Sequence, residues 1–341
     1  MRIKIHSENS PERAMRYLTR KVVLFVVTLW GAITLNFILP RLMPGSPVDA
    51  ALGKLAAAGV PITNSERSAI EIQLGVPHSS PFTQYWDYLN NIVRFKFGTS
   101  YSFPSETVAH TIGQALPWTL VLVGTTTIFA FVIGTLLGVY AGWRRGKLAD
   151  SSVTLGATFF AAFPPFWLGL LLLYLLAFKF GWFPIKGGYN PGSTPNLSLS
   201  FLADAFTHSV LPALTLTITT LSGWVFGMRN NMINTLGEDY VTFAEANGLR
   251  GRTVALLYAA RNALLPNVTA FGLSLGATVG GAVLVEGVFS YPGVGNLLYI
   301  AVLNHDFPLM QALFLVISVA MLVTIFIVDL LYVRIDPRVR R

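Results

Sequence analysis

The chain has 341 residues, of which 53% are hydrophobic and only 12% are charged, and its mean hydropathy is +0.58. Because soluble domains carry about 25% charged residues, this composition excludes an ordinary soluble domain and points to a bilayer as the solvent. The sequence contains no cysteine, so disulfides and thiolate metal sites are excluded as well. The net charge of +8 is compatible with a nucleic-acid partner until the basic residues are located.

The N-terminal region begins with the basic residues 1–21 and continues into the apolar run Val22–Leu39. That run has 18 residues. A signal peptide has an apolar run of about 7–15 residues, and no cleavage site of small residues follows here. We therefore predict a retained first membrane span rather than a cleaved signal.

Six segments are long and apolar enough to cross a hydrocarbon core, which requires about 20 residues each. They lie at 22–40, 114–141, 153–178, 209–228, 266–288 and 309–333. The predicted fold class is therefore an all-α integral membrane protein with six transmembrane helices. The third span contains Pro164 and Pro165, which predict a kink where neighbouring helices must satisfy the freed carbonyl groups.

The distribution of basic residues predicts the orientation of the chain. The segments 1–21, 142–151, 229–261 and 329–341 carry 17 of the Lys and Arg residues, whereas the opposite side carries 7. Both termini are therefore predicted to be cytoplasmic. The positive charge then lies at the cytoplasmic membrane surface, and nucleic acid is no longer the expected partner.

The loop at 43–113, between helices 1 and 2, is too long for a simple connection. It contains several prolines and an aromatic stretch over residues 85–89, which favour a small packed extracytoplasmic cap with short helices. A flexible loop is the alternative.

Three motifs that suggest chemistry have simpler interpretations. Residues 142–148 resemble a phosphate-binding loop, but the glycines are one residue too close and Leu148 replaces the Ser or Thr that binds magnesium, so a basic turn is expected. Residues 272–276 match the nucleophile motif of hydrolases, yet they lie inside a predicted span rather than at a strand-to-helix turn. The five histidines show no metal-ligand spacing.

Gly272, Gly276 and Gly280 recur at four-residue spacing, at which small residues let helices pack closely in lipid. This face either meets another subunit or lines a passage. Glu286 and Asp329 lie near the ends of predicted spans, where water or headgroups are expected to reach them. Because an ion-coupled carrier usually requires a deeper acid, their position argues mildly against secondary transport.

The cytoplasmic loop at 229–265 holds a short polar segment. Acidic residues at 238 and 239 suit the positive N-terminal end of a helix, and Tyr240–Leu249 can form about three turns before glycines interrupt it. Its small residues let a partner approach closely, and its aromatic residues can fill a pocket in that partner; these are Ala244, Ala246, Gly248, Tyr240 and Phe243. The sequence alone supports a docking helix and an ordinary interfacial amphipathic helix equally.

This segment resembles the "EAA" loop of permease subunits in binding-protein-dependent ABC importers. The family pattern is an Ala-rich helix, a Gly and a later Leu-Pro, which correspond here to Thr242-Phe243-Ala244, Gly248 and Leu265-Pro266. Thr242 stands where the family has its first Glu, and the long Gly-to-Pro spacing is similar to that of the dipeptide, oligopeptide and nickel permease subgroup. Other motifs of that subgroup follow in order along nearly the whole chain: Leu42–Pro47, Phe97–Ser100, Phe163–Phe166, Val285–Gly295 and Asp329–Arg338.

The resemblance implies a permease domain at 22–341 in the inner (plasma) membrane of a prokaryote. The implied partners are a second, similar permease subunit, two cytoplasmic ATPase subunits and an extracytoplasmic substrate-binding protein. The chain is implied to be a non-catalytic subunit without a cofactor of its own, because the ATPases bind ATP and Mg²⁺. The residues implied to couple to the ATPases are Tyr240, Thr242, Phe243, Ala244, Glu245, Ala246, Gly248 and Arg252.

Di- and oligopeptides are the substrates that the subgroup suggests first, and oligosaccharides or nickel are the alternatives. An ion-coupled secondary carrier is the alternative of another class, and the double proline at Pro164 and Pro165 is its main support. These two prolines and Gly272, Gly276 and Gly280 are the candidates for helix packing or for the translocation path.

Overall fold

The computed structural model describes residues 11–57, 63–74, 79–277 and 283–335. Within these residues the regular structure is helical, apart from one isolated bridge between Thr99 and Thr107, so the all-α prediction is confirmed. The helices are α1 (Pro11–Leu42), α2 (Pro47–Ala57), α3 (Asn64–Leu74), α4 (Pro81–Val93), α5 (Val108–Trp143), α6 (Leu148–Ala161), α7 (Pro165–Leu172), α8 (Leu199–Leu236), α9 (Asp239–Ala246), α10 (Gly251–Thr253), α11 (Arg261–Ala277), α12 (Val283–Val288), α13 (Val294–Leu303) and α14 (Phe307–Ile335). Two π-helical stretches, Leu173–Lys179 and Val254–Ala260, continue α7 and α10.

Four of the described helices are long and apolar enough to cross a membrane, and they coincide with predicted spans. They contain Thr19–Leu42, Val108–Trp143, Leu199–Leu236 and Phe307–Ile327. The bent pair α6 and α7 would make a fifth span. The predicted span at 266–288 covers most of α11, all of α12 and residues 278–282, which lie outside the described part of the chain. The chain is thus an all-α integral membrane protein, and the count of six spans stays a prediction.

The kink predicted in the third span is a sharp bend. The helix pair Leu148–Ala161 and Pro165–Lys179 meets at 92°. Pro164 is the N-cap of α7 and Pro165 is its first residue, the position at which a missing N–H costs least. The two prolines therefore end one helix and begin another, which produces either a broken span or a re-entrant loop.

The longest helices, α5 and α8, pack closely because α5 presents glycines at four-residue spacing. A Cβ atom at Gly134, Gly138 or Gly142 would lie 2.6–2.7 Å from the Cβ atoms of Trp224, Met228 and Met232. Any larger side chain would push the helices apart, as expected for small-residue packing in lipid. The same spacing is present in the sequence at residues 134, 138 and 142.

The Thr-rich region of α8 crosses the bilayer because its hydroxyl groups are satisfied within the helix. The hydroxyls of Thr215, Thr219 and Thr220 donate to carbonyl oxygens four residues earlier, at 2.7–2.8 Å. A hydroxyl that donates back to its own helix needs no water, so the polar composition does not prevent burial in lipid.

At the end of the bundle that carries the 43–113 loop, α5, α13 and α14 share an apolar core, which includes Val108, Leu298 and Leu313. The loop before α5 is fixed to α14 by Asp306, which is fully buried. The Asp306 carboxylate accepts from the Ser100 hydroxyl and the Ser102 amide, and it caps α14 by accepting from the Leu309 amide. This arrangement explains the polar residues of the Phe97–Ser100 motif in structural terms.

The loop at 43–113 contains α2, α3 and α4, so the described part of the predicted cap includes short helices. The described part of the loop is joined to the spans: His305 Nε2 lies 3.0 Å from the Pro44 carbonyl oxygen, and Thr34 Oγ1 lies 2.8 Å from Tyr85 Oη.

Candidate functional site

The segment that resembles the EAA loop forms a short helix on the end of the bundle that carries the 142–148 turn. Helix α9 spans Asp239–Ala246, about two turns rather than the predicted three, and begins directly after Gly237 ends α8. Eight residues are too few for a stable isolated helix in water. Its inner face supplies the missing stability, since Val241 and Ala244 pack in a small cluster with Val254, Trp143 and Leu236.

Helix α9 ends at Gly248 in a defined C-terminal motif. Gly248 has φ of +75°; its N–H donates to the Glu245 carbonyl at 2.9 Å, while the Leu249 N–H donates to the Ala244 carbonyl at 3.4 Å. This pair of bonds is the Schellman arrangement, which places a glycine in the left-handed region. The backbone conformation therefore favours the glycine of the family motif at this position.

The structure divides the predicted coupling residues into an exposed set and one buried member. Phe243 is 70% exposed and Tyr240 is 40% exposed. The other exposed members are Thr242, Glu245, Ala246, Gly248 and Arg252. Ala244 is only 3% exposed, so the expectation that its small side chain faces a partner is wrong. Its methyl group packs inward because residues 241 and 244 lie one turn apart on the same helical face.

Helix α9 contacts the ends of several spans. Its packing partners lie at the end of α5 (Trp143), at the end of α8 (Leu236) and at the start of the π-helical stretch (Val254). On its exposed side, the Asn262 amide donates to Tyr240 Oη at 2.9 Å, which links α9 to the first turn of α11. Helix α9 therefore contacts the ends of α5 and α8 and the start of α11.

Next to this loop, the basic segment 142–148 forms the expected turn, and a buried ion pair fastens it. The Asp150 carboxylate accepts from Arg229 Nε and from Nη2 at 2.8 Å, and it accepts from the Gly146 amide at 3.0 Å. The side chains of Asp150 and Arg229 are 6% and 22% exposed. This bidentate contact joins the start of α6 to α8. Sequence reasoning missed it because the two residues are far apart in the chain.

Glu286 corrects another expectation. It is fully buried rather than reached by water or headgroups. One carboxylate oxygen accepts from the Thr119 hydroxyl at 2.9 Å, and the other accepts from the amides of Gly295 and Asn296 at 2.8 and 3.2 Å. The Thr119 oxygen in turn accepts from the Val294 amide at 2.8 Å.

Glu286 and Thr119 together satisfy three amides in the first turn of α13, which have no partner within the helix. A Cβ atom at Gly293 would collide with the Glu286 carboxylate and with the Thr119 hydroxyl. The motif Glu286-x-x-x-Ser-Tyr-Pro-Gly-Val-Gly therefore caps its own helix with Glu286, and Thr119, which is distant in the chain, completes the cap. Residues 291–293 form a bend before α13, and Tyr291 is buried within it.

The remaining predicted residues are placed as follows. Pro164 and Pro165 lie exposed on this chain at the bend between α6 and α7. Gly272 and Gly276 lie on α11, whereas Gly280 lies outside the described residues. The packing or path role of these glycines stays a prediction. Among the described residues, no group of three or more His, Asp or Glu side chains is arranged to hold a metal ion.

Comparison with known proteins agrees with this architecture. Residues 134–341 match the family "Binding-protein-dependent transport system inner membrane component". The chain belongs to this family. As a permease of that family, it is an inner-membrane component of a transport system that depends on a binding protein.

Relatives of this permease match over nearly their whole length. The oligopeptide transport system permease protein AppB of Bacillus subtilis (strain 168) is 31% identical over 324 residues, which cover 95% of this chain and 98% of the relative. The di/tripeptide transport system permease protein DppB of Pseudomonas aeruginosa (strain UCBPP-PA14) is 34% identical over 340 residues, with coverage of 96% and 99%. The glutathione transport system permease protein GsiC of Salmonella typhi is 31% identical over 327 residues, also with 96% and 99%.

Proposed function

We propose that this permease forms half of the translocation path of an ATP-driven importer for di- and oligopeptides. The observation that supports the substrate is the full-length similarity to permeases named for oligopeptides, di/tripeptides and glutathione. Oligosaccharide or nickel uptake by the same kind of importer is the alternative within the family. An ion-coupled carrier is not favoured, because the one fully buried glutamate of the described residues has its carboxylate occupied by three donors.

The substrate is best tested through the cognate binding protein. The reconstituted transporter in proteoliposomes should hydrolyse ATP faster when the binding protein carries a mixture of di- to pentapeptides. The same binding protein offered oligosaccharides or Ni²⁺ should give only the basal rate. Stimulation by either of these and none by peptides would assign the permease to that alternative substrate.

The exposed face of α9 is the proposed contact for a cytoplasmic ATPase. Phe243 supports this role most directly, because a phenyl ring that is 70% exposed in a polar loop is available for apolar burial against a partner. Tyr240, Thr242, Glu245, Ala246, Gly248 and Arg252 surround it or follow it in the chain, while Ala244 positions the helix from below. ATP drives transport only if the ATPases bind it more tightly in one arrangement of the permease than in the other.

Phe243→Ala tests this contact without disturbing the internal packing of the chain. We expect the variant to lose most copurifying ATPase and most peptide uptake. Leu148→Ala is the matched control, since Leu148 is 86% exposed on the neighbouring turn and has no proposed contact. Normal ATPase recovery and uptake by a Tyr240→Ala, Phe243→Ala double variant would contradict the coupling role.

The proposed assembly contains a second homologous permease, two ATPase subunits and an extracytoplasmic binding protein. ATP and Mg²⁺ are proposed to bind only to the ATPases, and this chain carries no cofactor of its own. Native mass spectrometry of the purified complex measures the number of ATPase subunits. A complex with a single ATPase would contradict the proposed stoichiometry.

The proposed orientation places both termini, the 142–148 turn and α9 in the cytoplasm. The natural sequence has no cysteine, so single substitutions give unambiguous labels. In intact cells, a membrane-impermeant maleimide should label Leu197→Cys, whose native residue is 90% exposed, and should not label Leu148→Cys. Labelling of Leu148→Cys but not of Leu197→Cys would show that the orientation is opposite to the proposed one.

A further inference from the structure

A cavity of about 290 Å³ lies between the ends of α1 and α14 and the cap helix α4. Its lining includes Arg41 from α1, Tyr88 from α4, Lys96 from the loop after α4, and Gln311 from α14. This cavity is distant in the chain from the α9 loop, and nothing in the proposed coupling mechanism uses it.

The cavity is rich in hydrogen-bond donors and positive charge. The Arg41 guanidinium donates to the Phe37 carbonyl at 2.7 Å and to Gln84 Oε1 at 3.1 Å, so its described partners are both neutral. Lys96 is exposed and forms no ion pair with the described residues. Asp87 is the one acidic residue in the lining. Two cations and one carboxylate leave a net positive charge.

Two further donors in the lining lack partners. Tyr88 Oη and Gln311 Nε2 are buried, and neither has a hydrogen-bond partner within the described part of the chain. Burial raises the pKa of Tyr88 to about 12, so at neutral pH this residue is a phenol that can donate. A buried donor without an acceptor costs about 1–3 kcal/mol. Because both atoms are buried behind the cavity surface, the charge of Arg41 and Lys96 is the feature of the lining that favours an anion.

Helix α4 beside the cavity has two contrasting faces. Tyr85 and Tyr88 pack on the Phe37 ring of α1, with ring centroids 5.1 and 5.5 Å apart. On another face, Phe82, Trp86 and Val93 are 78%, 66% and 78% exposed. Their spacing of four and eleven residues from Phe82 places them along one stripe of the helix. An exposed aromatic stripe on a short helix is typical of a helix that lies in the membrane surface.

The positions of the cavity residues agree with that level in the membrane. Arg41 is next to the last residue of the apolar span Thr19–Leu42, and Gln311 lies four residues after the start of the span Phe307–Ile327. Both residues therefore lie near the boundary between hydrocarbon and headgroups. Phosphate groups of phospholipids are the abundant oxyanions at this boundary, and Arg and Lys are their usual partners.

We propose that this cavity binds the phosphate of a phospholipid headgroup, with α4 lying in the membrane surface beside it. Arg41 and Lys96 contact the phosphate oxygens, and the acyl chains extend along the exposed apolar side chains of α1 and α4. The bound lipid fixes the cap to the ends of the first and last spans. The proposal does not depend on the transported substrate or on the ATPase contact.

Native mass spectrometry of the full chain, purified in a mild detergent and titrated with phosphatidylglycerol, tests this site. Lys96→Gln removes a cation that has no bond to the described residues, and Arg41→Gln removes the second one. Each variant should bind the lipid about tenfold more weakly, as expected for the loss of one charge-assisted contact. Arg94→Gln is the matched control, because Arg94 is an exposed cation two residues from Lys96 and does not line the cavity.

Equal lipid binding by the wild-type chain, Lys96→Gln and Arg94→Gln would overturn the proposal. Because Arg41→Gln also removes contacts within the chain, the melting temperature of this variant must be measured. If Arg41→Gln unfolds, the result for Lys96→Gln alone decides the test. A third arm adds inorganic phosphate at millimolar concentration. Displacement of the lipid by free phosphate at this concentration would show that the cavity is a soluble-anion site, which also overturns the assignment to lipid.

A spin label at Trp86→Cys tests the placement of α4 by an independent measurement. In liposomes the label should be relaxed more strongly by oxygen, which partitions into the bilayer, than by a water-soluble nickel chelate. Leu197→Cys, on a loop residue that is 90% exposed, should show the opposite preference. If oxygen and the nickel chelate relax the two labels in the same proportion, the placement of α4 in the membrane surface is contradicted.

Discussion

Glu286→Ala should destabilise the permease strongly, because the fully buried Glu286 caps the first turn of α13 and joins it to Thr119 of α5. The change removes the acceptor of the Gly295 and Asn296 amides and of the Thr119 hydroxyl. Each buried donor that is left without an acceptor costs about 1–3 kcal/mol, so the two amides together cost about 2–6 kcal/mol. Glu286→Gln keeps one carbonyl oxygen for the two amides, and its cost should be smaller.

Thermal unfolding of the full chain in detergent, followed by intrinsic fluorescence, measures this effect. Large domains lose about 2–4 °C in melting temperature per kcal/mol, which predicts a decrease of roughly 5–20 °C for Glu286→Ala. Glu245→Ala is the control, since Glu245 is exposed on α9 and its loss should change stability by less than about 0.5 kcal/mol. A Glu286→Ala protein that melts within about 2 °C of the wild type would refute the capping role.

Three further changes test other parts of the structure. Because Gly248 has φ of +75°, Gly248→Asn should retain most peptide uptake and Gly248→Val should lose it; equal uptake by both variants would contradict the backbone argument. Asp150→Ala should lower the free energy of unfolding by about 2–4 kcal/mol, since it leaves the largely buried Arg229 unpaired, and adding Arg229→Met should restore part of it; no recovery in the double variant would argue against the ion pair as the cause. Gly138→Ala should lower the free energy of unfolding by about 1–3 kcal/mol, because its Cβ would lie 2.7 Å from a backbone oxygen of α8. Gly124→Ala is the control, since a Cβ at that position meets no atom within 4 Å.

The spans and the position of the α9 helix could be predicted from sequence because they depend on local composition. A bilayer requires long apolar segments, and hydropathy identifies these without any knowledge of packing. The turn residues of the α9 loop were equally local: Gly237 ends α8 and Gly248 ends α9. The double proline likewise predicted a break, although its angle of 92° depends on the neighbouring helices.

The contacts between distant residues could not be predicted in this way. Glu286 was placed near a span end, but its burial depends on Thr119, which is 167 residues away in the sequence. The Asp150–Arg229 pair spans 79 residues. Ala244 was misplaced for a different reason, since a single short helix does not indicate which of its faces packs against the bundle. In each case, the local sequence identified the element, and tertiary packing decided the environment of the side chain.

The end of the bundle that carries α9 has the properties that the proposed coupling element requires. The inner face of α9 packs on Trp143 and Val254, and the Asp150–Arg229 pair holds α6 to α8, so a force on the exposed face moves several helix ends together. Helix α11 has weaker backbone hydrogen bonding than a regular helix. It follows directly on the π-helical stretch Val254–Ala260, and Pro266 cannot donate to the carbonyl of Asn262. Within the proposed mechanism, bending therefore concentrates in the stretch between α9 and the glycines of α11, and the ends of α5, α6 and α8 move as one unit.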